Sequence, residues 1–284
     1  MSMSLSIDLP PNDDAFLAHY SGATRVILIV GDPIAQVKSP AGVTALMRAR
    51  GADAVCVPAH VAPDDLADWC AAIRCQRNVD GIIVTVPHKF AVLPLCDALT
   101  PRARSIGAVN ILRRHAPSGG WLGDMCDGDG HVAGMRAAGA VLQGRRALLV
   151  GAGGAGSAIA HALVDAGVAT LDLHEADAAR REALADKLRR YAAGRAEPLR
   201  VGIGGLDPTG YDLVTNATPM GMTRGDPLPV DVTRLAASTF VSDVVTQPAI
   251  PPLIEAARAR GCATLTGIGM FEAVRDRIVD FYLA

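Results

Sequence analysis

The segment Arg146-Ala-Leu-Leu-Val-Gly-Ala-Gly-Gly-Ala-Gly-Ser joins a short apolar run to a G-x-G-x-x-G pattern formed by Gly151, Gly153 and Gly156. The apolar run predicts a buried strand, and the pattern opens a predicted helix over residues 154–166. In that context Gly151 allows the tight turn, Gly153 lets the backbone approach a pyrophosphate, and Gly156 lets helix and strand pack closely. The segment therefore predicts a dinucleotide site at a helix N-terminus, with an ordinary flexible turn as the alternative.

The end of the next predicted strand, residues 170–174, indicates which dinucleotide fits. Glu175 follows that strand and stands nineteen residues after Gly156. A carboxylate there can accept hydrogen bonds from both hydroxyls of the adenosine ribose, and it would repel a 2′-phosphate. Arg180 and Arg181 are expected a turn further along the following helix. The pattern favours NAD over NADP, and the alternative is that Glu175 is only an acidic residue at a helix N-terminus.

Strand-like and helix-like segments alternate along nearly the whole chain, as is typical of α/β proteins. The predicted strands cover residues 25–30, 54–58, 81–86, 107–113, 121–123, 146–150, 170–174, 199–203, 213–216 and 240–244, with a turn at 117–120. The predicted helices cover residues 40–50, 64–73, 128–142, 154–166, 178–193, 250–260 and 270–283. Two α/β lobes are expected, hinged near residues 127–144, and the second is of the Rossmann type.

The composition agrees with an α/β fold. Half of the 284 residues are apolar, and 29 glycines accompany few aromatic residues. The mean hydropathy is +0.26. Such a chain can fill a core of buried aliphatic strands joined by tight turns.

Charge and cysteine patterns exclude several classes of protein. The net charge is −2 without a basic stripe, which argues against nucleic acid as a partner. No apolar run reaches the roughly 20 residues of a membrane span, and residues 1–14 lack the features of a secretory signal. The six cysteines show neither C-x-x-C nor a metal-type spacing with histidine, so reduced thiols, a cytoplasmic location and no metal are expected.

Six short segments together carry a family resemblance. They begin at Gly31 (G-D-P-I-A-Q-V-K-S-P), Asp80 (D-G-I-I-V-T-V-P-H-K), Gly107 (G-A-V-N), Gly123 (G-D-M-C-D-G), Asn216 (N-A-T-P-M-G-M) and Gly267 (G-I-G-M-F). In this order, and nearly end to end, they resemble the motifs of the shikimate dehydrogenase family.

The resemblance implies a two-lobe α/β protein with a cleft between its domains. The implied substrate-binding domain covers residues 1–127 and is joined by a C-terminal helix at about 268–284. The implied Rossmann-type NAD-binding domain covers residues 128–267.

The resemblance also implies a reaction and a catalytic pair, Lys89 and Asp127. The reaction is reversible NAD(H)-dependent hydride transfer to or from a secondary alcohol. Its substrate is a hydroxylated cyclohexane or cyclohexene carboxylate of the shikimate or quinate type, as in aromatic amino acid biosynthesis. The residue types agree, because a lysine amine can relay the hydroxyl proton while a carboxylate holds both groups in line.

Further site residues follow from the same motifs. Thr85 and Asn110 stand where the family binds ring hydroxyls, and Ser39 stands at one of its two carboxylate-binding serines. The alternatives are that Thr85 bonds to backbone groups at the end of a strand, that Asn110 stabilises a turn, and that Ser39 is a helix N-cap. His88, beside Lys89, is expected on a surface loop. The implied cofactor-binding residues are Gly151, Gly153, Gly154, Ala155, Gly156, Glu175, Asn216, Thr218, Met220, Gly267 and Met270.

The implied substrate site departs from the family pattern. Val37 replaces the other carboxylate-binding serine, Thr246 replaces a tyrosine, and Val274 replaces a glutamine. Met125-Cys126 stand where the family has Asn-Thr before the catalytic aspartate. An apolar replacement leaves a polar substrate group unpaired. The reaction type is therefore predicted more firmly than the substrate, which is either of the shikimate type or a less polar or differently substituted cyclic alcohol.

Two alternatives to the leading function stay open. One is a family paralogue that acts on a different cyclic alcohol with little shikimate activity. The other is a non-catalytic nicotinamide-binding sensor, which the intact Lys89 and Asp127 disfavour. The Asn-Arg-Thr of NADP-using members is replaced by Glu175-Ala-Asp, which again favours NAD. The expected partner is a small-molecule substrate, a homodimer is expected from the family alone, and Cys126 is predicted to be a packing residue.

Overall fold

The computed structural model describes residues 20–115, 119–193 and 199–284. Within them the strands form two sheets of six. The strands are β1 (Arg25–Gly31), β2 (Ala54–His60), β3 (Val79–Val84), β4 (Ala98–Leu99), β5 (Ile111–Arg114), β6 (Trp121–Asp124), β7 (Arg146–Val150), β8 (Thr170–His174), β9 (Arg200–Ile203), β10 (Leu213–Asn216), β11 (Phe240–Asp243) and β12 (Thr264–Leu265). The helices are α1 (Ser39–Ala49), α2 (Leu66–Arg74), α3 (Pro101–Ile106), α4 (Asp127–Ala137), α5 (Gly154–Asp165), α6 (Ala178–Ala192), α7 (Pro252–Ala259) and α8 (Gly267–Leu283).

The first sheet is mixed and has the strand order β2-β1-β3-β5-β6-β4. β1 pairs in parallel with both β2 and β3, whereas β5 runs antiparallel to β3 and β6. Successive side chains of a strand point to opposite faces, so β1 contributes to two cores. Ile27 and Ile29 face one core, and Val30 faces the other. Because β1 and β3 are parallel neighbours, their carboxyl ends lie side by side.

The second sheet is parallel throughout and has the order β12-β11-β10-β7-β8-β9. Its central strands β7, β10 and β11 are almost completely buried, as expected for a parallel sheet covered on both faces. From β7 the chain moves outward in one direction to β8 and β9, and then returns to β10 on the other side. This reversal is a topological switch point, and parallel α/β sheets bind ligands at the carboxyl ends of the strands beside it.

Helix α4 links the two sheets and packs against both α5 and α8. Two of its glycines allow this close packing. A methyl group on Gly128 would lie 2.1 Å from the carbonyl oxygen of Ala158 in α5, and one on Gly130 would lie 2.3 Å from the Val274 side chain in α8. Both contacts are shorter than any real Cβ contact, so these positions require glycine.

The structure confirms the predicted α/β class with two sheets, while several predicted bounds were wrong. The predicted strand at 107–113 begins only at Ile111, because Gly107 ends α3 in the left-handed region with φ 74°. The sequence prediction missed α3, whose N-terminus is capped by the Thr100 hydroxyl accepting from Ala103 N at 3.2 Å. The helix predicted to residue 142 ends at Ala137, just before Gly139 with φ 92°.

Other differences are smaller. The predicted strand at 81–86 lies at Val79–Val84, and the helix predicted from residue 250 begins at Pro252. The C-terminal helix begins at Gly267 rather than at residue 270, because the Thr266 hydroxyl caps it. The turn predicted at 117–120 and the segment 1–14 fall wholly or partly outside the described residues. The two sheets use residues 25–124 and 146–265, and the domain bounds at 127 and 267 stay a prediction.

No helix among the described residues has both the length and the apolar character needed to cross a membrane.

Replacing Gly128 with alanine should destabilise the protein by about 1–3 kcal/mol, because the new methyl group meets a helix backbone that cannot move cheaply. Alanine is the better helix former by about 1 kcal/mol, so a net loss would identify the packing as the stronger effect. Urea unfolding measures the difference. Gly205→Ala is the control, since a methyl group there meets no atom within 4 Å. A neutral or stabilising Gly128→Ala would contradict the role assigned to this contact.

Candidate active site

A cleft of about 1060 Å³ lies between the two sheets. One wall follows the carboxyl ends of β1 and β3, and the other follows those of β7, β10 and β11. These are the switch-point strands of the second sheet, where the topology predicts a ligand. The cleft contains both members of the predicted catalytic pair.

The predicted pair forms a direct contact. The Lys89 ammonium donates a hydrogen bond to Asp127 Oδ2, and the two side chains are only 13% and 8% exposed. Lys89 also lies against the start of α5, since a methyl group on Gly154 would be 2.9 Å from Lys89 Cβ. Its backbone carbonyl accepts from Val109 N at 2.9 Å, which fixes the loop that carries it. The pair is therefore at the entrance of the predicted dinucleotide site.

Asp127 is held by more than the lysine. It is the first residue of α4, where a negative charge is favourable with the helix dipole. Asn110 Nδ2 donates to Asp127 Oδ1 at 2.7 Å, and Asn110 Oδ1 accepts from Cys126 N at 2.9 Å. Asn110 therefore supports the local turn and orients the carboxylate at the same time. The turn role predicted for Asn110 is confirmed, while its contact with a ring hydroxyl stays a prediction.

Cys126 is completely buried beside this pair. Burial raises the pKa of its thiol to about 12, so it remains a protonated thiol at neutral pH. This agrees with its prediction as a packing residue.

The remaining predicted substrate residues line the cleft: Ser39, Thr85, Val37, Thr246 and Val274. Ser39 is the first residue of α1, and the N-cap position belongs to Lys38, so the N-cap alternative for Ser39 was wrong. Ser39 is 6% exposed, and its hydroxyl forms no hydrogen bond with a described residue. The backbone N–H of Thr85 donates to Val30 O at 2.9 Å, which satisfies the strand end without the hydroxyl. Both hydroxyls are thus available to a ligand.

The expectation that His88 lies on a surface loop was wrong. His88 is 1% exposed, and its Nε2 lies 2.8 Å from the carbonyl oxygen of Val61. This bond ties the Lys89 loop to the segment after β2. The side chain points away from the cleft and supports the loop from behind.

The glycine-rich turn fits the pyrophosphate of a dinucleotide. Gly151 has φ 104°, and a methyl group there would lie 2.8 Å from Thr218 Cγ2. A methyl group on Gly156 would lie 2.1 Å from the Gly151 carbonyl, whereas Gly153 faces open space. The N-terminus of α5 has neither a side-chain cap nor an acidic residue in its first turn, so its N–H groups are free for an anion. Gly151, Gly153, Gly154 and Ala155 line the cleft, and Gly156 packs behind them.

Glu175 lies beside this turn and is fixed by backbone donors. Its Oε2 accepts from Ala152 N at 2.9 Å, and its Oε1 accepts from Asp177 N at 3.1 Å. Arg180 lies in the first turn of α6, five residues after Glu175, as expected, but its side chain reaches back to that carboxylate. The Arg180 guanidinium lies 3.8 Å from Glu175 Oε1 and lines the cleft. Arg181 instead donates to the Glu175 carbonyl oxygen at 3.1 Å.

The predicted nicotinamide-side residues occupy two layers. Thr218, Met220, Gly267 and Met270 line the cleft. Asn216 does not reach it, because it is fully buried behind the turn that carries Thr218 and Met220. Its Oδ1 accepts from Thr218 N at 3.0 Å, so Asn216 holds the turn that forms the wall although its own side chain does not line the cleft.

Sequence reasoning missed several residues that line the cleft. They are Gln36, Lys38, Phe90, Met222, Phe271 and Ile278. Most of these stand within or next to the quoted motifs, and Ile278 lies one helical turn after Val274, so the 3.6-residue period offered a signal. Met222 ends the motif that begins at Asn216, and Phe90 directly follows the motif that ends at Lys89, so the motifs offered a signal for both residues. No group of three or more metal-ligating side chains occurs in the described part of the chain.

Comparisons with known proteins identify the family of the chain. Residues 29–112 match the family described as the shikimate dehydrogenase substrate binding domain. A relative from Geobacter metallireducens, named shikimate dehydrogenase (NADP(+)), is 36% identical over 257 residues, which cover 89% of each chain.

Two solved structures extend the similarity to the whole fold. Quinate dehydrogenase from Corynebacterium glutamicum, solved in complex with NAD, is 32% identical with a TM-score of 0.79, covering 91% of this chain and 93% of that one. Ligand-free 5-ketofructose reductase of Gluconobacter sp. strain CHM43 is 30% identical with a TM-score of 0.78, covering 92% and 93%. With the motifs, the two-sheet fold and the relatives in agreement, the chain belongs to the shikimate dehydrogenase family.

Proposed function

We propose that this protein is a cytoplasmic NAD(H)-dependent oxidoreductase that acts on a secondary alcohol of a hydroxylated six-membered ring carboxylate. The observation that carries the proposal is the Lys89–Asp127 pair, which lies in the cleft against the start of α5. A non-catalytic sensor has no need of such a pair. The six cysteines are free thiols, which is compatible with a reducing compartment.

The pair supports proton transfer at the reacting hydroxyl. An ammonium has three N–H donors, so Lys89 can contact Asp127 and still reach a ligand oxygen. In oxidation the pair accepts the hydroxyl proton; in reduction the cationic Lys89 stabilises the developing alkoxide. Asp127, oriented by Asn110, holds the amine in line with the hydroxyl. The nicotinamide, when bound, supplies the acceptor or donor of the hydride.

Glu175 supports NAD as the preferred dinucleotide. Two backbone N–H groups fix its carboxylate beside the glycine-rich turn, where it can accept from ribose hydroxyls and repel a 2′-phosphate. Arg180 opposes this preference, because its guanidinium reaches the same carboxylate. The descriptions of its relatives include both dinucleotides: the Geobacter relative is named for NADP(+), and the quinate dehydrogenase was solved in complex with NAD.

A second candidate function is the reduction or oxidation of a different polyol that lacks the carboxylate. Val37, Thr246 and Val274 line the substrate side of the cleft and offer one hydroxyl among them. The similarity to 5-ketofructose reductase supports this candidate, because the name of that relative describes a substrate without a carboxylate. The chemistry at Lys89 and Asp127 is the same in both proposals.

Lys89→Ala and Asp127→Asn should each lower kcat by about 10²–10⁴-fold, as expected for loss of a general acid–base group. NADH affinity, measured by fluorescence titration, should stay within a few-fold of the wild type. Asp129→Asn is the matched control, because Asp129 lies in the same helix and pairs with Arg102 instead. Normal turnover by Lys89→Ala would remove this residue from the mechanism.

Glu175→Ala should reduce the preference for NAD over NADP, measured as the ratio of kcat/KM values, by about tenfold or more. The reason is that a charge-assisted hydrogen bond is lost together with the repulsion of the 2′-phosphate. Glu182→Gln is the control, since Glu182 is an exposed acidic residue of α6, the helix that follows Glu175. An unchanged ratio in Glu175→Ala would assign ribose discrimination to another residue.

Val37→Ser should raise kcat/KM for shikimate or quinate by about tenfold, because it restores a donor for the carboxylate. Initial rates with both acids and with 5-ketofructose provide the measurement. Val141→Ser, on the exposed surface outside the cleft, is the control. Activity on 5-ketofructose, with neither acid turned over by wild type or variant, would favour the second candidate.

A further inference from the structure

Two strands on the dinucleotide side of the cleft end in a buried polar pair. Asn216 is the last residue of β10 and Asp243 the last of β11, and both are 0% exposed. Neither lines the cleft, but the segments that follow them, 217–220 and 244–246, both do. The pair therefore acts on a ligand only through these two wall segments.

The side chain of Asn216 shapes the first wall segment. Its Nδ2 donates to Met220 O at 3.1 Å, and its Oδ1 accepts from Thr218 N at 3.0 Å and from the Thr218 hydroxyl at 2.6 Å. These bonds close the turn 216–220 on itself. The same Nδ2 also donates to Asp243 Oδ1 at 3.1 Å, which connects the turn to the neighbouring strand.

The side chain of Asp243 joins the two segments. Its Oδ1 accepts from Asn216 and also from Val245 N at 2.9 Å, so one carboxyl oxygen accepts hydrogen bonds from residues at both wall segments. Its Oδ2 is buried and has no hydrogen-bond partner among the described residues. A buried carboxylate is costly unless its oxygens are satisfied, so the charged form is held only by the donors on one oxygen.

We propose that Asp243 is a positioning residue for the dinucleotide, whose ionised carboxylate ties segments 217–220 and 244–246 together and whose protonation loosens them. This rests on the proposed function, since it takes these segments as part of a nicotinamide dinucleotide site. The strength of the link depends on charge, because hydrogen bonds to an ionised acceptor are about twice as strong as neutral ones.

The carboxyl group changes charge near neutral pH. Burial raises the pKa of Asp243 to about 7, while the N–H donors of Val245, Asn216 and Val244 oppose the rise. An ordinary aspartate would be ionised throughout the range from pH 6 to 8.

Among the described residues, no second charged side chain lies close enough to Asp243 to shift its pKa. Helix α7 covers its face of the sheet with Leu253, Ile254 and Ala257, while the charged Glu255 and Arg258 of that helix are exposed. On the opposite face, His131 of α4 lies 3.0 Å from Ser242 Oγ, and burial lowers its pKa to about 4, so it stays neutral. Strand β12 and the first turn of α8 carry no titratable side chain.

Acidification should have opposite effects on binding and on folding. Dinucleotide affinity should fall as the pH drops through about 7, because the ionised form is the one that ties the walls. Folding stability should change the other way. The folded pKa of Asp243 is raised above its unfolded value, so its stability contribution is present at low pH and is lost as the pH rises through about 7. A buried carboxyl with a purely structural role predicts only the second effect.

The test is NADH binding, followed by fluorescence at pH 8 and pH 6, for the wild type, Asp243→Asn and Ser242→Ala. The wild-type Kd should rise on acidification by up to about tenfold, the limit reached when only the ionised form binds. Asp243→Asn should give the same Kd at both pH values, at least as high as that of the wild type at pH 6, because the variant has no ionised form. Ser242→Ala is the matched control, equally buried in the same strand, and should follow the wild type.

Thermal unfolding without dinucleotide supplies the second readout. Asp243→Asn should unfold at a higher temperature than the wild type at pH 8, with the difference shrinking at pH 6. If the Kd of the wild type is the same at pH 8 and pH 6, the proposal is wrong, whether or not the variant folds. A Kd of Asp243→Asn that still rises on acidification overturns it too. A wild type that binds neither NADH nor NADPH would instead overturn the proposed function itself.

Discussion

The position of Asp127, the proposed catalytic carboxylate, depends on how closely helix α4 approaches its neighbours. Gly128 brings the backbone of α4 against Ala158 of α5, and Gly130 lets Val274 of α8 contact the other side of the helix. Asp127 stands one residue before the first of these contacts, so the packing of two helices fixes its Cα. A larger residue at either glycine would move the carboxylate relative to Lys89. The geometry of the reaction centre is therefore a consequence of backbone packing.

Electrostatic interactions, in addition to helix packing, hold the Lys89–Asp127 pair in place. Lys89 and Asp127 are both largely buried, and a buried ion pair is favourable only when its remaining hydrogen-bonding groups are also satisfied. Asn110 donates to the second oxygen of Asp127, and the N-terminus of α4 favours its negative charge. The carboxylate is thus fully supported, whereas the lysine retains donors that only the cleft can use. The arrangement keeps the pair neutral as a unit and leaves its reactive end facing a ligand.

Sequence reasoning succeeded where a local pattern fixes a local structure. The apolar run at 146–150 and the glycines after it predicted β7 and the start of α5, because the turn tolerates no other residue at Gly151 or Gly156. Sequence reasoning failed where contacts between distant segments determine the position of a side chain. The burial of His88 depends on the carbonyl oxygen of Val61, which lies on another segment. The reach of Arg180 depends on how α6 meets β8, which no single-segment pattern encodes.

The proposed catalytic residues and the predicted substrate-contacting residue Val37 are held by different contacts. Lys89, Asn110 and Asp127 are interlocked by hydrogen bonds, so a change in one disturbs the others. Val37 instead enters the cleft from the loop before α1, outside this hydrogen-bonded group. It can change without touching the helix contacts that fix Asp127, whereas Val274 also packs against Gly130 of α4. Under the proposed function, a change at Val37 alters the fit of the substrate and leaves the hydrogen bonds among Lys89, Asn110 and Asp127 in place.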